Sequence, residues 1–250
     1  MPARQIIVAT AGWSIPRAVA SHFDAAGTHL QRYGRVLRGA EINTSFYRSH
    51  SQATYARWAG LVPRGFRFAV KLPGAITHDG RLRAARRPLV AFLAEVAGLG
   101  SKAGPLIAQL PPSLAFERRV ARRFFTLVRE LHAGPVVCEP RHASWFESPA
   151  GQLLEEFHIG RVAADPAVVP AAALPGGWPG IAYHRLHGAP RMYWSTYGSE
   201  DLAQRASDLR QQARRAPVWC VFDNTASGAA MQNALELMAG LAGSVAPAPK

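Results

Sequence analysis

Pro135-Val136-Val137-Cys138-Glu139-Pro140-Arg141 is the stretch on which the fold turns. An apolar run too short for a helix, with no polar alternation, reads as a strand covered on both faces. That is the pattern of a parallel sheet between helices. The run ends on Glu139 and Arg141, two residues apart and therefore on one face. Similar runs recur along the whole chain: Ile6–Gly12, Gly39–Ser45, Arg67–Pro73, Gly104–Leu110, Arg161–Asp165, Ile181–His187 and Val218–Asn224. Between them, helical periodicity covers Gly27–Leu37, Ser51–Leu61, Pro88–Leu99, Phe116–His132, Ala150–His158, Glu200–Arg215 and Ala229–Leu241. The sixth crossover, Pro166–Gly180, is rich in Pro and Gly and shows no clear helix.

Eight such units predict an α/β fold, a single (β/α)8 TIM barrel. It would be a closed parallel sheet with outer helices, the helix missing or irregular in the sixth crossover. A doubly wound sheet is the alternative, but no Gly-rich nucleotide loop follows the first run. Nor is there a Walker motif, a nucleophile-elbow Ser or a paired Cys motif for zinc. One barrel domain is expected over residues 1–244, followed by a disordered tail over 245–250.

At 48% apolar and 18% charged residues the 250-residue chain is globular rather than disordered. No apolar run approaches a membrane span. Met1-Pro2-Ala3-Arg4-Gln5 runs directly into the first strand, so no export signal and a cytoplasmic location are expected. Cys138 and Cys220 sit in separate strand runs and are expected to be buried free thiols. The net charge is +13, and only Lys71, Lys102 and Lys250 among the 29 basic residues are lysines. Many of the arginines fall on expected helices, as in Arg118-Arg119-Val120-Ala121-Arg122-Arg123. They read as a solvated outer face, and as a field that would attract nucleic acid only weakly and non-specifically.

The polar groups gather at the strand carboxyl ends. Glu41 and Asn43 share a face of the second strand, Glu139 and Arg141 of the fifth, and Tyr183, Arg185 and His187 of the seventh. Lys71, Gln109 and Asp165 end the third, fourth and sixth, and Asn224 or Asp223 the eighth. Burying one unpaired charge is costly, so the set is expected to face itself or a solvated cavity. Barrel enzymes place their chemistry at that end. Glu41, Lys71, Glu139, Asp165 and His187 are therefore the candidate acid–base groups. Lys71, Arg141 and Arg185 would hold an anion or developing negative charge. The carboxylates with His187 make a ligand set compatible with a divalent metal, but three cations beside them disfavour a dedicated metal cage. No cofactor is identified.

Asn224-Thr225-Ala226-Ser227-Gly228 leads into the last helix. An anion is expected between Arg185 and the helix start near Ser227 and Gly228. Trp13, Phe46, Tyr47, Trp145, Phe146, Tyr193, Trp194 and Tyr197 are expected to line one rim. Trp13, Tyr47, His78 and Trp145 join Asn43, Gln109, Arg141 and Asn224 as candidate substrate contacts. The long loop Gly74–Arg87 is the expected lid.

These segments resemble the YecE-like family, a group of TIM-barrel proteins with a domain of unknown function. The resemblance is carried, in order along almost the whole chain, by Ala11-Gly12-Trp13, Glu41–Tyr47, Phe66–Lys71, Ile76-Thr77-His78, Gln109–Ser113, Glu139–Phe146, Tyr183–Gly188 and Asn224–Ala234. Ser14-Ile15-Pro16 departs from the aromatic continuation usual after the Gly-Trp motif, and Asp223 stands where many members have another small polar group. The resemblance implies the barrel and the site but no reaction. The leading expectation is an enzyme doing acid–base or hydrolytic chemistry on a small anionic (phosphorylated) or sugar-like substrate. The alternatives are a nucleic-acid-processing or nucleic-acid-binding protein and a non-catalytic ligand-binding barrel.

Overall fold

The computed structural model describes residues 5–243. The tail expected over 245–250 lies outside them. Strands and helices alternate in the expected order. The strands are β1 (Ile6–Thr10), β2 (Gly39–Ile42), β3 (Arg67–Lys71), β4 (Ala103–Gln109), β5 (Val136–Glu139), β6 (Ile159–Arg161), β7 (Ala163–Asp165), β8 (Gly176–Gly177), β9 (Ala182–Leu186) and β10 (Val218–Phe222). The helices are α1 (His29–Val36), α2 (Gln52–Gly60), α3 (Arg86–Val96), α4 (Arg118–Leu131), α5 (Ser148–Glu156), α6 (Ser199–Ala213) and α7 (Ala229–Ala242). None of these is long and apolar enough to cross a membrane.

Local chemistry sets the boundaries. Thr28 and Gln31 form a reciprocal capping box at the start of α1. Ser51 accepts from the Thr54 amide at the start of α2. Several strands end earlier than expected. β5 stops at Glu139, before Pro140, which has no N–H to give the ladder. β2 stops at Ile42 because Thr44–Phe46 winds into a 3-10 turn, where the Ser45 hydroxyl bonds the Ile42 and Lys71 carbonyls. The sixth expected strand begins two residues early, at Ile159, and is interrupted at Val162. The sixth crossover has no α-helix, only a 3-10 turn at Pro170–Ala173 and the short β8.

The fold is α/β, built on parallel strands in two sheets. One has the order β1-β10-β9-β7; the other runs β2-β3-β4-β5-β6, with β8 antiparallel to β6. The sheets meet twice. At one junction Ala11 bridges to Glu41 and donates its amide to Phe222 O at 2.9 Å. At the other, Val162 links β6 to β7 and donates to Cys138 O at 2.9 Å.

Two apolar clusters follow from strand alternation. The larger lies between strands and helices and includes Val8, Phe68, Leu106, Cys138 and Phe222. The smaller takes the other parity from strands of both sheets: Ile7, Ala9, Ala69, Ile107, Val137, Tyr183, Trp219 and Val221. Continuing that second parity toward the carboxyl ends reaches Glu41, Lys71, Gln109, Glu139, Arg185, His187 and Asp223. Cys138 and Cys220 have the helix-side parity and are free and buried, as expected.

Candidate functional site

Arg185 is the centre of the site. Its side chain is only 1% exposed, and three carboxylates surround it. Nη2 donates to Glu41 Oε1 at 2.6 Å and to Asp223 Oδ2 at 2.9 Å; Nε donates to Glu41 Oε2 at 3.1 Å; Nη1 donates to Glu139 Oε2 at 2.6 Å. The Tyr183 hydroxyl, one turn of the pleat below, donates to Glu41 Oε2 at 2.9 Å. His187 is fully buried beside them. Its Nδ1 lies 3.0 Å from Asp223 Oδ2, and its Nε2 lies 2.9 Å from Glu139 Oε1 and 2.6 Å from Arg141 Nη2. Arg141 Nη2 also reaches Glu139 Oε1 at 2.6 Å. Asn43 donates to Asp223 Oδ1 at 3.3 Å.

Every carboxylate oxygen of the network is thus engaged, which explains how three acids tolerate burial. Burial opposes ionisation of Glu139, but the charges of Arg185, Arg141 and His187 outweigh it and hold the carboxyl well below its usual range. Burial likewise opposes ionisation of Asp223, and Arg185 and His187 bring it below its usual value. The surrounding carboxylates keep Arg185 charged despite its desolvation. Burial and the charge of Glu41 drive the Tyr183 phenol well upward, so it stays a donor.

Three polar atoms at this end are left without partners among the described residues. Lys71, 7% exposed, points its Nζ over the Phe46 ring at 4.2 Å. No described residue offers that amine a hydrogen bond or ion pair. Burial and the charge of Arg185 lower it to about 8, against the opposing pull of Glu41, Glu139 and Asp223. Arg141 Nε and Asn43 Oδ1 are buried with no partner among the described residues. His78 stands edge-on to the same Phe46 ring, 4.7 Å between centroids, and bonds Thr77 through Nδ1 at 2.9 Å. Burial, then the Lys71 charge, lowers its pKa. Gln109 lies level with Glu139 in the β4–β5 ladder. Tyr193 covers His187 edge-on at 5.8 Å from a left-handed backbone position (φ 68°).

Of the candidate residues, the structure brings Glu41, Asn43, Lys71, Glu139, Arg141, Arg185 and His187 to the same strand ends, with His78 beside Phe46 and Gln109 level with Glu139. Other expectations are corrected. Asp165 pairs in register with Leu186, not Arg185, so its side chain turns to the helix side and binds Arg205 of α6 at 2.7 Å. Asn224 has the parity of Phe222. It ties the Ser195 carbonyl and Asn233 together, and its neighbour Asp223 takes the place in the network. Trp145 is buried, donating Nε1 to Leu114 O at 2.9 Å and packing on Phe116. Tyr197 is buried too, with its hydroxyl accepting from the Gly188 amide. Trp13 packs edge-on against Trp58 of α2 and Phe68. Tyr47 is 81% exposed beside Phe46.

The anion expected between Arg185 and the last helix finds no free guanidinium, because the carboxylates occupy it. Ser227 Oγ instead donates to Trp194 O at 2.7 Å, and Gly228 supplies the left-handed turn (φ 82°) that starts α7. The expected lid is packed down: Ile76, Thr77, Leu82 and Ala85 are buried, and Arg81 holds Ser113. Two residues of the network, Tyr183 and Asp223, were placed at the strand ends but not among the candidate catalytic or substrate contacts. Tyr183 was legible from its parity with Arg185. Asp223 needed the β9–β10 register, which pairs Val221 with Arg185.

Glu41, Glu139, Asp223 and His187 would be the donors for a metal. The carboxylate oxygens already accept from Arg185, Tyr183 and Asn43, Glu139 is paired with Arg141, and the His187 ring nitrogens lie against Glu139 and Asp223. Among the described residues no group of three or more His, Cys, Asp and Glu side chains is arranged to ligate.

A family profile described as "Protein of unknown function DUF72" matches residues 7–250. The chain is 28% identical over 167 residues to the UPF0759 protein YecE of Escherichia coli K12, spanning 64% of this chain and 59% of that protein. The match thus spans less than two thirds of the relative's length. Two solved structures share the fold. A DUF72 family protein from Enterococcus faecalis V583 superposes with a TM-score of 0.81 at 21% identity, covering 98% of this chain and 99% of that one. One from Thermotoga maritima MSB8 gives 0.79 at 24% identity, covering 95% and 99%.

Proposed function

The chain belongs to the DUF72 family of proteins of unknown function, and from its site we propose a (β/α)8-barrel enzyme that performs acid–base chemistry on a small anionic or sugar-like substrate at the strand carboxyl ends. Three observations support closure of the two sheets into one barrel. Ala11 and Val162 join them at both junctions. A Cβ on Gly39 of β2 or on Gly104 of β4 would meet the Trp219 ring of β10 at 3.1 Å. The Arg185 guanidinium of β9 binds carboxylates on β2 and β5. Side chains of both sheets therefore fill one interior, as barrel closure requires.

The observation that carries the function is the set of unpartnered groups, Lys71 Nζ, Arg141 Nε and Asn43 Oδ1, above a fully satisfied network. Buried polar groups find partners in native proteins, so unpartnered atoms on three residues at the strand carboxyl ends support the reading that a ligand completes them. Two cations and one acceptor suit an anionic group carrying a hydroxyl or carbonyl. Lys71 is the group poised to take a proton, and a base is most effective when its pKa lies near the working pH. Isothermal titration with inorganic phosphate, glucose and glucose 6-phosphate tests this. The anions are expected to bind saturably and at least tenfold more weakly to Lys71→Met. Equal affinity of the two proteins would overturn the reading.

A second reading is a nucleic-acid surface, favoured by Tyr47, by the half-exposed Trp194 under Arg191 at 4.5 Å, and by the net charge of +13. It predicts binding that weakens steeply with salt. Base preference that survives several hundred millimolar salt would favour it over the small-molecule enzyme.

A further inference from the structure

We propose that Lys71 is an imine-forming residue, and that the substrate of this site is a small anionic aldehyde or ketone. This rests on the reading of the strand ends as a small-anion site and specifies the bond made there.

An imine-forming lysine needs an amine that is shielded from water and not held by a carboxylate. Lys71 meets both conditions. It ends β3 on the face that carries the network, and its side chain is nearly buried. Its close partner is the face of Phe46, whose cation–π attraction holds the charged amine more weakly than a carboxylate would. The acids that could hold it belong to other groups. Glu41 on β2 is forked by Arg185 of β9, Glu139 on β5 is bound by Arg185, Arg141 and His187, and Asp223 after β10 is bound by Arg185 and His187. His78, after β3, brings no negative charge to hold the ammonium, and burial and the Lys71 charge lower the pKa of its ring. A desolvated amine beside another cation is the setting in which lysines become nucleophiles. The depressed value of about 8 agrees with this arrangement.

The step balances without a co-reactant. Neutral Nζ attacks the carbonyl carbon, the C–N bond forms, and the carbonyl π pair moves to oxygen. One proton passes from nitrogen to that oxygen and a second comes from solvent. The C–O bond then breaks, water leaves, and the iminium keeps a single positive charge. Arg141 Nε and Asn43 Oδ1, without partners among the described residues, are the groups that would hold the anionic group and a neighbouring hydroxyl.

The chain has three lysines, Lys71, Lys102 and Lys250, so the assay reads cleanly. Lys102 already donates to the Val62 and Pro63 carbonyls, outside the site. Glyceraldehyde 3-phosphate, dihydroxyacetone phosphate and pyruvate would each be incubated with the full chain and sodium cyanoborohydride at pH 7.5. Peptide mass spectrometry then locates the reduced adduct. At least one carbonyl is expected to label Lys71 at ten times the level on Lys102, with labelling suppressed by inorganic phosphate. Lys71→Arg, checked for folding by its melting curve, should lose that adduct. Uniform labelling of the lysines, or none on Lys71 while phosphate still binds, overturns the imine and leaves the anion site standing. Absence of both labelling and phosphate binding removes both readings.

Discussion

Arg185 and Glu41 lie on strands of different sheets and meet in a two-point fork, Nη2 to Oε1 at 2.6 Å and Nε to Oε2 at 3.1 Å. The same guanidinium reaches Glu139 on β5, so one arginine braces three strands that are not neighbours in either sheet. The fork geometry is specific to arginine, since a lysine presents a point charge.

Arg185→Met should destabilise the protein by about 3–5 kcal/mol, because it leaves buried carboxylates without their counter-charge. Denaturant unfolding measures this. A loss within about 0.5 kcal/mol, as for an ordinary surface substitution, would show that Arg185 is not the brace.

Acid should act on the network late. In the unfolded chain carboxyls protonate near pH 4, whereas Glu139 and Asp223 are held lower in the folded protein. The folded state thus stays deprotonated where the unfolded state takes up protons. The stability present above about pH 4 is lost as pH falls toward the folded values. Urea melts across the acid range should show this limb, and Glu139→Gln should flatten it.

Lys71 has the opposite consequence. Its folded value of about 8 lies below the unfolded one, near 10.4, so the unfolded state binds more protons between them and stability rises with pH through that window. Lys71→Met should remove the rise and be more stable at pH 7 by up to about 3 kcal/mol, the difference vanishing above about pH 10.5. Paired melts at pH 7 and pH 10 decide it; a less stable variant at pH 7 would contradict it.

Gly104→Ala tests the shared interior. The added Cβ would lie 2.9 Å from Phe68 O and 3.1 Å from Trp219 Cζ2, neither of which is the free end of a flexible chain. Overpacking of this kind costs about 1–3 kcal/mol. An unchanged melting temperature would mean that Trp219 does not fill the space between the sheets.

Asp165→Asn is the control for the site's limits. The Asp165–Arg205 pair is partly exposed on the helix side, and such pairs contribute about 0–1 kcal/mol. Phosphate affinity should not change. A large loss of binding on titration would place Asp165 in the chemistry after all.

The sequence by itself determined the alternation of strands and helices, the missing sixth helix and the faces shared by Glu139 with Arg141 and by Arg185 with His187. These depend on local rules: apolar runs, Pro and Gly, and the two-residue period of a strand. Tertiary structure decided which face of each strand met which neighbour. Asp165 ends a strand as Glu139 does, yet the β7–β9 register turns it outward to Arg205. Asp223 and Asn224 are adjacent and both polar, and the β10 register alone sends one into the network and the other to α7. Trp145 follows its strand like a rim residue but is consumed by packing on Phe116. Above all, the pairing of Arg185 decides its role. A guanidinium on an inward face reads as an anion receptor until the carboxylates of distant strands are brought within 3 Å and take its donors. Such contacts join residues more than thirty positions apart. Strand parity cannot specify them, because parity tells which face a side chain takes and only register and the packing of the sheets tell what it meets there.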